Sequence, residues 1–233
     1  MEQICLAHDA GYVQGVMNGH VANGFGNTLA DVAAALPWTS GAAIANGSVG
    51  VAPVSGFHHA CYNRGGGFCT FNGLMVTALA LQADNSARRI GILDYDMHYG
   101  NGTDDILQRL CPQSISHYTA GKEFHSVGQA AKFLAGVSAR IQSFSGCDVL
   151  LYQAGADPHI DDPLGGWLSS DQLSERDRLV FRTCKEIGLP VAWNLAGGYQ
   201  TPLRRVLDIH DATMRVCIEI YLEPRTLDWL SEA

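Results

Sequence analysis

Short apolar runs, bounded by polar, glycine or proline residues, recur at residues 49–54, 89–93, 149–152 and 190–195, with a fainter one at 114–118. Runs of that length predict strands buried on both faces, because a half-exposed strand would alternate apolar with polar residues. The segments between them carry helical signals. Leu74, Ala78 and Leu81 predict a helix over 72–83, and amphipathic patterns predict others over 103–110 and 126–144. Ser174 with Asp177 marks the start of a helix that stops at Gly188. Thr201 followed by Pro202 reads as an N-cap with proline at the first helical position, opening a helix to residue 222. Nearer the N-terminus, helices are expected over 9–17 and 28–45. Strands alternating with helices predict an α/β fold, an open parallel sheet with helices on both faces. No repeat, low-complexity tract or linker interrupts the pattern, and 233 residues are expected to form one domain over 1–233.

Composition narrows the function classes. The chain is 47% hydrophobic and 16% charged, enough to bury a core and unlike a disordered chain. A net charge of −8 with no run of Lys or Arg argues against nucleic acid as a partner, while tolerating a cationic substrate. The seven cysteines are scattered, odd in number and never paired as Cys-x-x-Cys, the pattern of reduced thiols in a cytoplasmic protein. No stretch approaches the ~20 apolar residues of a membrane span. Met1-Glu2-Gln3-Ile4 lacks the basic opening of a signal peptide. A cytoplasmic protein with no membrane partner is expected.

The polar clusters fall where the strands end, which is where open α/β sheets bind ligands. Ser55-Gly56-Phe57-His58-His59 follows the first run, and the second leads into Asp94-Tyr95-Asp96-Met97-His98-Tyr99-Gly100-Asn101-Gly102. Gln153-Ala154-Gly155-Ala156-Asp157 follows the 149–152 run, and Ala196-Gly197-Gly198-Tyr199 ends the last. On an extended backbone Asp94, Asp96 and His98 would share one face, with Tyr95, Met97 and Tyr99 on the other. Three polar side chains there are costly to bury unless they bind something. Carboxylate and imidazole suit zinc, and Asp157 from another loop is the natural third ligand, leaving a fourth position open.

The order and spacing of these pieces resemble the histone deacetylase and acetylpolyamine amidohydrolase family, of arginase–deacetylase fold. The matching stretches are 56–59, 66–72, 92–103, 154–166 and 195–199. By that resemblance the fold is a shortened arginase–deacetylase sheet and the activity is zinc-dependent hydrolysis of an acyl-amide, with Fe2+ as an alternative metal. Asp96, His98 and Asp157 would hold the metal. His59 would be the general base for the attacking water, and His58 would orient or protonate. Asp94 would support His58 and also, with Ser116, bind a structural potassium ion. Asn101 stands where many relatives have Asp and class II members have Asn. Tyr199 would donate to the carbonyl oxygen. Gly67 and Phe68 would form one wall of the substrate tunnel and Phe124 the other. In polyamine-specific relatives a Glu stands seven residues after the third ligand. Here that position is Leu164, an apolar gate suited to a lysine stem.

The chain departs from the family in three ways. Tyr99 replaces a histidine common after the metal His, the usual opening strand is missing, and Asn23-Gly24-Phe25-Gly26-Asn27 stands roughly where an acidic rim residue is expected. The rim is then either open or completed by a partner copy in a homo-oligomer. Acetyl-lysine in a protein or peptide is the expected substrate, with a small acetylated amine as the alternative. A non-catalytic acyl binder would not need His59 and Tyr199. An arginase-like dimanganese site would need more bridging ligands.

Overall fold

The computed structural model describes residues 1–30 and 48–222. Five strands, β1 (Val49–Ala52), β2 (Ile90–Asp94), β3 (Ile115–Thr119), β4 (Val149–Gly155) and β5 (Val191–Ala196), form one parallel sheet in the order β1-β5-β4-β2-β3. The helices described are α1 (Glu2–Ala7), α2 (Ala10–Met17), α3 (Gly73–Ala83), α4 (Asn101–Leu110), α5 (Ala130–Gln142), α6 (Ser170–Glu186) and α7 (Arg204–Tyr221).

Side chains of each central strand alternate between two cores. Leu93, Leu150, Tyr152, Val191 and Trp193 pack with α5, α6 and α7, including Phe133, Val180, Phe181 and Val216. Ile90, Ile92, Val149, Leu151 and Ala192 pack on the opposite face with α1 to α4, including Val13, Leu74, Met75 and Ile106. At roughly 1.5–3 kcal/mol for each large apolar side chain buried, these two layers are the main force holding the sheet. They also explain why the strands read as continuous apolar runs.

Element ends differ from expectation for local reasons. β1 stops at Ala52 because Pro53 has no N–H, and the Val54 N–H turns back to the Ala52 carbonyl at 2.7 Å. β4 runs past Tyr152 to Gly155, because Gln153 finds a partner inside the protein. α6 opens at Ser170 rather than Ser174. Ser169 accepts the Gln172 N–H at 3.2 Å, and the Gln172 side chain accepts the Ser169 N–H at 3.0 Å, a reciprocal cap. The expected 126–144 helix begins as a 3₁₀ turn, Val127–Gln129, before α5. α7 begins at Arg204, two residues beyond Pro202. The helix expected over 28–45 lies, beyond Ala30, outside the described residues.

The topology places a crevice. From β2 the chain moves outward to β3, while from β4 it moves the other way to β5. Ligands in open α/β sheets bind at such a reversal, outside the carboxyl ends of the strands. Here those ends belong to β2 and β4.

Candidate active site

β2 ends at Asp94, and the extended alternation expected through residue 99 stops with it. Asp94 is fully buried. Its Oδ1 accepts the Asp96 N–H at 3.1 Å and Gln153 Nε2 at 3.0 Å, while Oδ2 lies 2.7 Å from His58 Nδ1. Asp96 Oδ1 in turn accepts the His98 N–H at 2.8 Å. Each aspartate thus folds the chain back on itself, as short carboxylates do in turns. Asp96 and His98 reach the crevice through these bends.

Asp157 arrives from the end of β4. One carboxylate oxygen from each of Asp96 and Asp157 and a ring nitrogen of His98 all lie within 4.8 Å of one another, the one such cluster of three among the described residues. His98 Nδ1 is 2.8 Å from Asp157 Oδ2 and 3.1 Å from Asp96 Oδ1. Burial and the neighbouring Asp96 charge raise the Asp157 carboxyl far above the usual carboxylate range. Hydrogen bonds from the His98 ring to the Asp157 and Asp96 carboxylates raise it to about 10. Two buried carboxylates facing one imidazole call for a cation between them, and the donor set fits a divalent metal ion that takes the place of the His98 proton. Gly197, at φ 54°, makes room: a Cβ there would lie 2.3 Å from the Asp157 carboxyl carbon.

His58 and His59 stand beside the cluster with ring centroids 4.0 Å apart. Burial disfavours a proton on His58, but the Asp94 and Asp96 carboxylates outweigh it and raise the ring to about 9. His59 differs. Burial and the His58 charge lower its pKa. Its Nδ1 lies 2.6 Å from Asn101 Oδ1, an acceptor, so the ring proton sits on Nδ1 and Nε2 keeps its lone pair. α4 holds this pair in place, since its Gly102 and Thr103 N–H groups donate to the His58 carbonyl at 2.9 and 3.2 Å.

A cavity of about 210 Å³ above these groups is lined by His58, His59, Gly67, Phe68, Asp96 and Tyr199, among others. The Tyr199 ring lies 6.0 Å from Phe68 and 6.3 Å from His98, centroid to centroid. Burial and the Asp157 and Asp96 charges push its phenol well above the usual range, so the hydroxyl keeps its proton. Phe68 is 53% exposed and sits at φ 62°, a strained backbone for a side chain of this size. A larger cavity, about 300 Å³, between the first turns of α6 and α7 is lined by His159, Arg205 and Asp208 and includes none of the cluster.

Three expected site residues lie elsewhere. Phe124 is buried against Phe133 and Trp167, with ring centroids 5.1 and 5.7 Å away, and is core rather than tunnel wall. Ser116 is exposed at the level of Gly91 on β3, whereas Thr119 is the residue paired with Asp94, so Ser116 is not beside the carboxylate it was expected to share. Leu164 is half-exposed on the 158–168 turn and does not line the cavity.

Three contributors were given no role in the sequence reading. Phe25 lines the cavity, its ring 5.9 Å from Phe68, from a loop whose Gly24 carbonyl accepts the Phe68 N–H at 3.0 Å. Gln153 supports Asp94. Arg176 of α6, fully buried, donates to the carbonyls of Gly155 at 2.7 Å and Tyr95 at 3.3 Å, and so ties together the strand ends that bear Asp157 and Asp96. Its signal was available: Arg176 and Asp177 interrupt the apolar stripe Leu173, Val180, Phe181, Cys184, where charge stands out.

A profile of the histone deacetylase domain matches residues 1–124, more than half of the 233-residue chain. The chain belongs to the histone deacetylase domain family. Histone deacetylase 6 of Caenorhabditis elegans is 32% identical over 195 residues, covering 69% of this chain and 19% of that protein. Acetylpolyamine amidohydrolase of Mycoplana ramosa is 29% identical over 175 residues, covering 62% of this chain and 50% of that protein. The chain therefore aligns with half or less of the length of either. Among solved structures, the HDA15 HD domain superposes with a TM-score of 0.72 at 22% identity over 93% of this chain and 74% of that one, a likeness of fold. The span matched to the histone deacetylase domain contains His58, His59, Asp94, Asp96, His98 and Asn101. Asp157 and Tyr199 lie outside it; Asp157 joins Asp96 and His98 from the end of β4, and Tyr199 lines the cavity.

Proposed function

We propose that this chain is a zinc-dependent deacylase that hydrolyses acetyl-lysine in proteins or peptides in the cytoplasm. The observation that carries the reading is one cavity lined by Asp96 of the Asp96–His98–Asp157 cluster, by a histidine with a free Nε2 and by a tyrosine. A divalent metal held by that cluster would polarise the acyl carbonyl and acidify water near neutrality.

The protein's own groups account for the remaining steps. His59 Nε2 accepts the proton of the attacking water and returns it to the departing amine, a task suited to a neutral imidazole. His58, held charged by Asp94, stabilises negative charge developing next to it. The Tyr199 hydroxyl donates to the carbonyl oxygen as it becomes an oxyanion. Phe68 and Phe25 offer apolar ring surface for the stem of the substrate. A small acetylated amine is the second reading, favoured by the similarity to an acetylpolyamine amidohydrolase.

Metal analysis together with turnover of a fluorogenic acetyl-lysine peptide tests the reading. Asp157→Ala is expected to lose metal and activity together. Full activity in that variant, or after thorough chelation, would remove the metal from the mechanism.

A further inference from the structure

Asp162 lies five residues after Asp157 and is 5% exposed. Its two carboxylate oxygens are divided between two backbone donors. Oδ2 accepts the Tyr199 N–H at 2.8 Å and Oδ1 accepts the Leu164 N–H at 3.0 Å. The turn that carries it is itself well fixed. Trp167 and Leu168 both donate to the Pro158 carbonyl at 2.7 Å, Ile160 donates to Leu168 at 2.7 Å, and the Asp162 N–H donates to His159 at 2.8 Å. Tyr199, in contrast, follows two glycines, Gly197 and Gly198, at φ 54° and 99°. Two such joints leave the chain free to swing unless something outside the segment holds it. A hydrogen bond to a buried carboxylate oxygen is among the stronger ones available for that purpose.

We propose that Asp162 is a positioning residue. It sets the Tyr199 backbone so that the phenol overlooks the cavity, and through its other oxygen it places Leu164 on the adjoining turn. The inference rests on the deacylase reading for its catalytic meaning, since an oxyanion donor must stand within about 2.7–3.1 Å of the oxygen it serves. Displacement by about 1 Å can cost on the order of 10²-fold in rate.

The test is a double-mutant cycle with a readout that does not depend on turnover. Asp162→Asn keeps the size of the side chain but leaves an NH2 facing one of the two amides. On an acetyl-lysine peptide, kcat is expected to fall between about ten- and a hundred-fold, with KM little changed and bound metal unchanged. In a Tyr199→Phe background the same substitution should have no further effect, because the hydroxyl it places is gone. Equal falls in both backgrounds overturn the proposal, since they would mean that Asp162 acts independently of Tyr199. Hydrogen exchange at the Tyr199 amide should quicken in Asp162→Asn, and an unchanged exchange rate also overturns it. If Asp162→Asn does not fold, Asp162→Glu, with both oxygens displaced by one methylene, carries the same cycle. A wild-type chain inactive on both acetyl-lysine peptides and acetylpolyamines, with exchange responding as expected, overturns the deacylase reading and leaves the Asp162 anchor standing.

Discussion

His58 and His59 are adjacent in sequence and opposite in chemistry, because one faces a carboxylate and the other an amide oxygen. His59 stands outside the Asp96–His98–Asp157 cluster, so on the proposed mechanism His59→Ala should leave bound metal unchanged and lose about 10²–10⁴-fold in kcat. Metal content and turnover measured on the same preparation check this, and retained turnover with lost metal would make His59 a ligand instead. At this scale the sequence was most legible where side-chain chemistry is unusual in its setting. Asp94, Asp96, His98 and Asp157 stood out because polar residues directly after apolar strands need a reason. Asp162 and Gln153 did not, since aspartate in a turn and glutamine after a strand are ordinary until their partners are known. Phe124 misled for the same reason: an aromatic near a site motif looks the same from sequence whether it faces a cavity or Trp167.

His8, just past the end of α1, joins three segments. Its Nδ1 is 2.9 Å from the Cys61 carbonyl and its Nε2 accepts the Asn72 N–H at 2.9 Å, next to the cap of α3. Both nitrogens are committed to a neutral ring, and burial lowers the pKa from 6.5 to about 4. The unfolded chain then binds the proton more readily, so the stabilisation is present above pH 6.5 and is lost as pH falls toward 4. By linkage this one group contributes on the order of 3 kcal/mol. His210, buried near Arg176, is also lowered to about 4 and adds to the slope. Urea midpoints measured from pH 7 to 4 should fall steeply in the wild type and less steeply in His8→Gln. Parallel slopes would show that His8 does not couple folding to pH. Helix boundaries were legible to within two residues where periodicity was strong, as in α4, and drifted where caps decide. Ser169 with Gln172 rather than Ser174 with Asp177 opens α6, and both pairs look alike until the backbone is seen.

Across the whole molecule, strand order could not be read from the chain, but the placement of polar clusters at strand ends could, because a parallel sheet brings all its carboxyl ends to one side. The same view bears on substrate choice. Leu164 lies outside the cavity, on the turn that Asp162 ties to Tyr199. It offers no charge to the ammonium of a polyamine that extends past the cavity, so acyl-lysine peptides should be cleaved with higher kcat/KM than N-acetylputrescine. Leu164→Glu should move that ratio toward the polyamine. Because the position is 50% exposed, solvent screening limits the change to about ten-fold or less. Competition assays between the two substrates measure it directly. A wild-type preference for the polyamine would promote the small-amine reading. No helix among the described residues is long and apolar enough to cross a membrane.

β1 pairs with β5 alone, Val49 against Val191, although nearly the whole of the sheet lies between them in sequence. The strand that leads to His58 can therefore join the sheet only after the last strand has formed. Closing so long a loop is slow, because its entropy is lost before the contacts that reward it are made. During synthesis, the ribosome must release β5 before β1 has an edge to dock on. The tyrosine would thus arrive late in folding, and a nascent chain lacking β5 would carry the β2 and β4 ends that gather Asp96, His98 and Asp157 without the strand that brings Tyr199 over them.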